Sequence, residues 1–232
     1  MKRALVVLLA AMAAAGCDGT PAAEEGTVAS SSTGWPAHPT PEPGFDPDDP
    51  ALSTIPESDA SRQALLGRVG DRRDFKVPAS VVAGLQDGPL VLAVVVRPFS
   101  ELAGDEAAVR RLNRGQRAVY AMYVADFEIL NGGFAQLWTN AAGAIAGDLV
   151  RAAELVGSRE FADIFRDAET LWPGGRIPRD FVRRERLVAS IPGDEVAALD
   201  ERYAATQYRR KTALALVLGG YIRAHLDEFV AR

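Results

Sequence analysis

The chain has 232 residues, 48% of them hydrophobic and 25% charged, with 31 acids, 26 bases and a formal net charge of −5. One cysteine and two histidines exclude a disulfide framework, a Cys/His zinc cluster and a histidine-backed thiol nucleophile. The charge is unevenly divided: residues 18–60 hold nine acids and no Lys or Arg, while residues 61–232 hold 22 acids and 24 bases, a body near +2. A near-neutral body gives no whole-domain argument for nucleic-acid binding, so no nucleic-acid partner is expected.

At the start of the chain, Lys2 and Arg3 form a positive n-region, and Ala4 to Ala15 form an apolar stretch too short to span a bilayer. The small residues Ala14, Ala15 and Gly16 then precede Cys17. This predicts a bacterial lipoprotein signal over residues 1–16, with Cys17 becoming the new N-terminus and carrying a diacylglyceryl group. Two or more acyl chains make a stable anchor. The alternative is plain secretory cleavage after Ala15, which leaves a free thiol. The expected location is the bacterial cell envelope, lipid-anchored to a membrane outside the cytoplasm. Residues 17–60 are rich in Pro, Ser, Thr, Gly and acids, with Trp35 and Phe45 as their only aromatics. Such a stretch buries too little surface to fold and reads as a disordered tether. As a flexible coil it holds the body about 35 to 40 Å from its anchor.

The body, residues 61–232, reads as one all-α domain of several helices. Leu90 to Val96 has strand propensity but no second β-rich run to pair with, so it is expected as a buried helix with Pro89 in its first turn. Asn113 with Gln116 forms a capping-box start. Val119, Met122, Tyr123, Phe127 and Leu130 then line a long helix that is apolar nearly all round and therefore central. Leu149, Ala152, Ala153 and Val156 recur helically up to Gly157. After the N-cap Ser158, Phe161, Ile164, Phe165, Ala168, Leu171 and Trp172 recur up to Pro173, which makes a helical hairpin. Arg183, Arg184 and Arg186, and then Arg209, Arg210 and Lys211, form basic clusters expected on solvated helix faces. The run from about Gln207 to Val230 reads as a last long helix, where Gly219 and Gly220 imply close packing or a bend.

The most specific stretch runs from Glu128 to Asn140. Asn131-Gly132-Gly133 accommodates positive φ and so ends one helix and redirects the chain. On a short following helix, Gln136 and Asn140 fall four apart on one face, while Phe134, Leu137 and Trp138 lie toward others. The pattern Asn131, Gly132, Gly133, Phe134, Gln136, Trp138 and Asn140, with Glu128 upstream, resembles a bacterial family of helical domains without an assigned function. That family includes the C-terminal part of a DNA-mimic protein. The resemblance extends over about residues 90–232. It implies an all-helical domain without an assigned catalytic site.

Two readings of these residues stand side by side. In one, the amides form a pocket that hydrogen-bonds a peptide or small polar ligand; in the other, they cap helix ends and knit the turn, with Glu128 satisfying backbone or the Asn131 turn. Enzymatic chemistry has little to work with. His38 lies in the tether and His225 near a helix end, Gly132-Gly133 lacks the spacing of a phosphate loop, and Asp126 and Glu128, two apart on a helix, do not face each other. The expected function is therefore non-enzymatic binding of a protein or peptide in the cell envelope, with membrane attachment through Cys17 and neither cofactor nor metal. A carboxylate-based enzyme is the alternative. DNA mimicry fits poorly with a slightly basic, exported body, and binding to an anionic surface would use Arg183, Arg184 and Arg186.

Overall fold

The computed structural model describes residues 39–102, 106–209 and 213–231. The signal segment, Cys17, Arg210 and Lys211 lie outside the described residues. In chain order the helices are α1 (Asp59–Val69), α2 (Ala79–Val82), α3 (Asp87–Leu102), α4 (Glu106–Val109), α5 (Arg114–Thr139), α6 (Leu149–Leu155), α7 (Arg159–Thr170), α8 (Phe181–Val188), α9 (Gly193–Gln207), α10 (Leu214–Ala224) and α11 (Leu226–Phe229). Short 3-10 segments cover Pro50–Leu52 and Ala141–Asp148. A two-residue parallel ladder pairs β1 (Val77–Pro78) with β2 (Val230–Ala231).

The architecture is all-α, as expected, and α5 is its axis. Asn113 accepts from the Gln116 amide while Gln116 Oε1 accepts from the Asn113 amide, so the capping box is complete. Every residue from Ala118 to Ala125 is buried. A helix without a polar face must be surrounded, and α3, α6, α8, α9 and the 3-10 segment 141–148 pack against it. Leu130 departs from the expected apolar side and is 47% exposed. Leu90 to Val96 is helical, within α3, and all of it but Leu92 is buried. The α6–α7 hairpin forms with Ser158 Oγ accepting from the Phe161 amide, and Phe161, Ile164, Phe165 and Ala168 face the core. At Gly219 the absence of a side chain admits Asp87 of α3, which pairs with Arg223 one turn later.

Two expectations need correction. The stretch read as tether up to residue 60 lies on the body from residue 42: the Glu42 amide donates to the Tyr208 carbonyl at 3.1 Å, and Tyr123 Oη donates to the Thr54 carbonyl at 3.2 Å. Phe45 supplies the reason, being only 9% exposed, since burying one such ring contributes about 2 kcal/mol. Nor is the run from Gln207 to Val230 one helix. It breaks after Gln207 and again at His225 (φ −130°, ψ 41°), then finishes as β2. The N-terminus of α5 explains the second break. Its first turn carries no acid of its own, and the redirected chain supplies one: Glu228 Oε2 accepts from the Gly115 amide at 2.8 Å and the Glu228 carbonyl accepts from Asn113 Nδ2 at 2.7 Å.

Candidate functional site

Inside α5 the helix is broken at Gly133, whose φ of +74° belongs to the left-handed region. A Cβ there would also stand 2.5 Å from Asp200 Oδ2 of α9. The Asn131-Gly132-Gly133 turn thus does what its residues predict. Residues 134–139 form a second, very short helix with its own ends to satisfy. At the start, Asp200 Oδ1 accepts from the Phe134 amide at 2.8 Å; burial raises the Asp200 pKa and the Phe134 N–H opposes the rise. At the finish stands Arg184 of α8, only 1% exposed. Its Nε donates to the Trp138 carbonyl at 2.9 Å, Nη2 to the Asn140 carbonyl at 3.0 Å, and Nη1 to the carbonyls of Pro178 and Arg179. Burial lowers its pKa, with nearby Asp180 acting in the opposite direction. An anion at the N-terminus and a cation at the C-terminus match the helix dipole at both ends.

The amides close the arrangement. Glu128 is 2% exposed, and its Oε2 accepts from Gln136 Nε2 at 2.8 Å and from Asn140 Nδ2 at 2.6 Å. The carboxyl therefore bridges the helix before the kink to the helix after it. Phe134 and Trp138 enter an aromatic cluster in which Trp138 meets Trp172 edge-on at 5.3 Å and Phe134 meets Tyr203 edge-on at 6.0 Å.

Of the predicted residues, Glu128, Gln136 and Asn140 are brought into one hydrogen-bonded set, Gly132 and Gly133 form the kink, and Phe134 and Trp138 fill the core. Asn131 lies half-buried at the turn. Glu128 accepts from the side-chain amides of Gln136 and Asn140, where backbone or the Asn131 turn was expected. The basic cluster of α8 is also revised. Arg183 and Arg186 are exposed, but Arg184 points into the protein because four carbonyls lie within its reach.

A second carboxyl, half-buried Asp126, does not face Glu128, as the sequence implied, but its actual partners were not foreseen. Asp126 Oδ1 accepts from Tyr203 Oη at 2.9 Å and from Gln207 Nε2, and Gln207 Oε1 accepts in turn from the Leu214 amide. Burial pushes the Asp126 carboxyl up to about 7, against the two hydrogen bonds that lower it. One signal was present in the sequence: Asp200, Tyr203 and Gln207 fall three and four apart, a polar stripe along α9.

Residues 110–225 match the family described as DMP19-like protein, a span that opens just before α5 and contains the whole kinked segment. No curated protein and no solved structure matches the chain.

Proposed function

From the chain's membership of the DMP19-like protein family, we propose that it is a non-enzymatic binding domain, held by lipid on Cys17 at the outer side of a bacterial membrane, whose exterior takes a protein or peptide partner of the envelope. The observation that carries this reading is the occupancy of the motif. Glu128, Gln136, Asn140, Asp200 and Arg184 are partnered with one another or with backbone. A segment so engaged holds two helices at an angle, which favours recognition through the surface that the helices present. The placement of Cys17 after a short apolar segment and small residues supports the anchor.

Crosslinking in intact cells, followed by mass spectrometry of captured proteins, tests the reading. A small, reproducible set of extracytoplasmic proteins is the expected catch; cytosolic proteins or an empty catch would overturn it. Cys17→Ser is expected to move the protein from the membrane fraction to a soluble one, and equal retention would remove lipidation.

One observation favours the enzyme reading, namely Asp126 with its carboxyl near neutrality beside Tyr203. Proton transfer needs that carboxyl to reach a ligand, whereas its Oδ1 already holds two protein donors. Asp126→Asn is accordingly expected to leave partner capture intact.

A further inference from the structure

Five arginines gather around one groove of about 560 Å³. Arg114 and Arg117 lie three apart in the first turn of α5 and Arg110 in the turn of chain before it, while Arg151 of α6 and Arg179, just before α8, stand across from them. All five are exposed. Between them the floor is aliphatic, built from Val109, Ala118, Ala121, Ile145, Ala152 and Leu155. One carboxylate, Asp148, lines the groove, and Arg179 Nη2 donates to both of its oxygens at 2.9 and 2.8 Å. Arg114, Arg117 and Arg151 form no ion pair among the described residues.

We propose that this groove docks an acidic peptide segment bearing apolar side chains on one side. The proposal rests on the binding reading above and deepens it by naming the surface and the partner's chemistry. Charge complementarity is the first argument. Arg114, Arg117 and Arg151 add three guanidiniums to a lining with a single carboxylate, Asp148, which Arg179 already holds, while Glu169 nearby acts on Arg151. The like charges of Arg114 and Arg117, three apart on α5, repel until a counter-charge arrives. The floor is the second. A bare anion leaves aliphatic surface wet, whereas a segment alternating carboxylates with Leu-like side chains covers the floor and pairs with the rim together. Arginine suits carboxylates, and Asp148, whose two oxygens both accept from Arg179 Nη2, already forms one such pair inside the groove. A single-stranded nucleic acid is disfavoured because the lining offers no aromatic ring for base stacking. From Arg114 to Ala121 the helix rises about 10 Å, room for about three extended residues or two helical turns of a ligand.

Fluorescence anisotropy on the full chain tests this with a labelled Glu/Leu peptide, its Gln/Leu counterpart and a single-stranded DNA of equal charge. The Glu/Leu peptide is expected to bind, and the Gln/Leu peptide is not. Arg117→Glu combined with Arg151→Glu is expected to weaken binding at least about tenfold, with the melting temperature confirming the fold. Arg183→Glu with Arg186→Glu, exposed on α8, is expected to change nothing. Equal peptide affinity of the groove variant would overturn the proposal, as would tighter binding of the DNA. Crosslinking separates the two levels of inference. If the groove variant still captures the wild-type partner in cells, the groove is wrong and the binding reading stands; if the wild type captures nothing, the binding reading itself fails.

Discussion

Arg184 and the groove arginines have the same chemistry and opposite surroundings. Arg184 stands between exposed Arg183 and Glu185 on α8, yet it is buried and donates to four carbonyls. Arg117 and Arg151 stand exposed over aliphatic surface. The difference lies in what each finds within reach. Helix ends leave carbonyls unpaired, and a guanidinium near enough to serve several is drawn inside despite the cost of desolvation. Where no such carbonyls are offered, the cation stays in water and the charge remains available to another molecule.

Removing the guanidinium from each side is the sharpest way to break this comparison. Arg184→Ala removes the donor from one buried carbonyl and three part-buried ones, and at about 1 to 3 kcal/mol for a fully buried one and less for the rest the loss is expected to reach about 3 kcal/mol. Urea unfolding measures it; a loss near zero would mean that the guanidinium is not the cap. A pH series probes the half-buried Asp126. The folded-state value for Asp126, about 7, lies above the ordinary 3.8, so the folded protein holds this proton more tightly. That stabilisation is complete below pH 3.8 and is lost as pH rises through about 7, a change of up to about 4 kcal/mol. Asp126→Asn should flatten the profile relative to wild type, and parallel profiles would refute the assignment. Gly133→Val forces a branched residue into positive φ against Asp200, with an expected loss of about 2 to 3 kcal/mol in thermal or chemical melts. Arg117→Glu with Arg151→Glu is expected to stay within about 0.5 kcal/mol of wild type. A large loss there would show that the groove arginines serve the fold as Arg184 does.

Local features were legible in the sequence and distant partners were not. The Asn113–Gln116 capping box, the Ser158 cap and the positive φ at Gly133 each depend on residues close together in the chain, and each appears where expected. The helix over Leu90 to Val96 followed from the lack of a β partner. Gln136 and Asn140 were placed on one face, but their acceptor, Glu128, became evident only once the kink folded the two halves of α5 toward each other. Asp200 reaches Phe134 and Arg184 reaches Trp138 across intervening helices, and nothing in local spacing encodes those pairings. Phe45 misled for a related reason: a lone aromatic among Pro and acids lacks local partners, and its burial comes from the body it settles on.

The shortness of the helix over residues 134–139 has a consequence for the order of assembly. Isolated helices below about 12 residues barely persist in water, so this turn and a half cannot hold itself before its end groups arrive. Those groups come from α8 and α9, 46 and 66 residues further along the chain. The passage most recognisable in the linear chain is therefore expected to be among the last to set, acting as a latch that closes once the C-terminal half has docked. Hydrogen exchange at the Phe134 amide would time that closure.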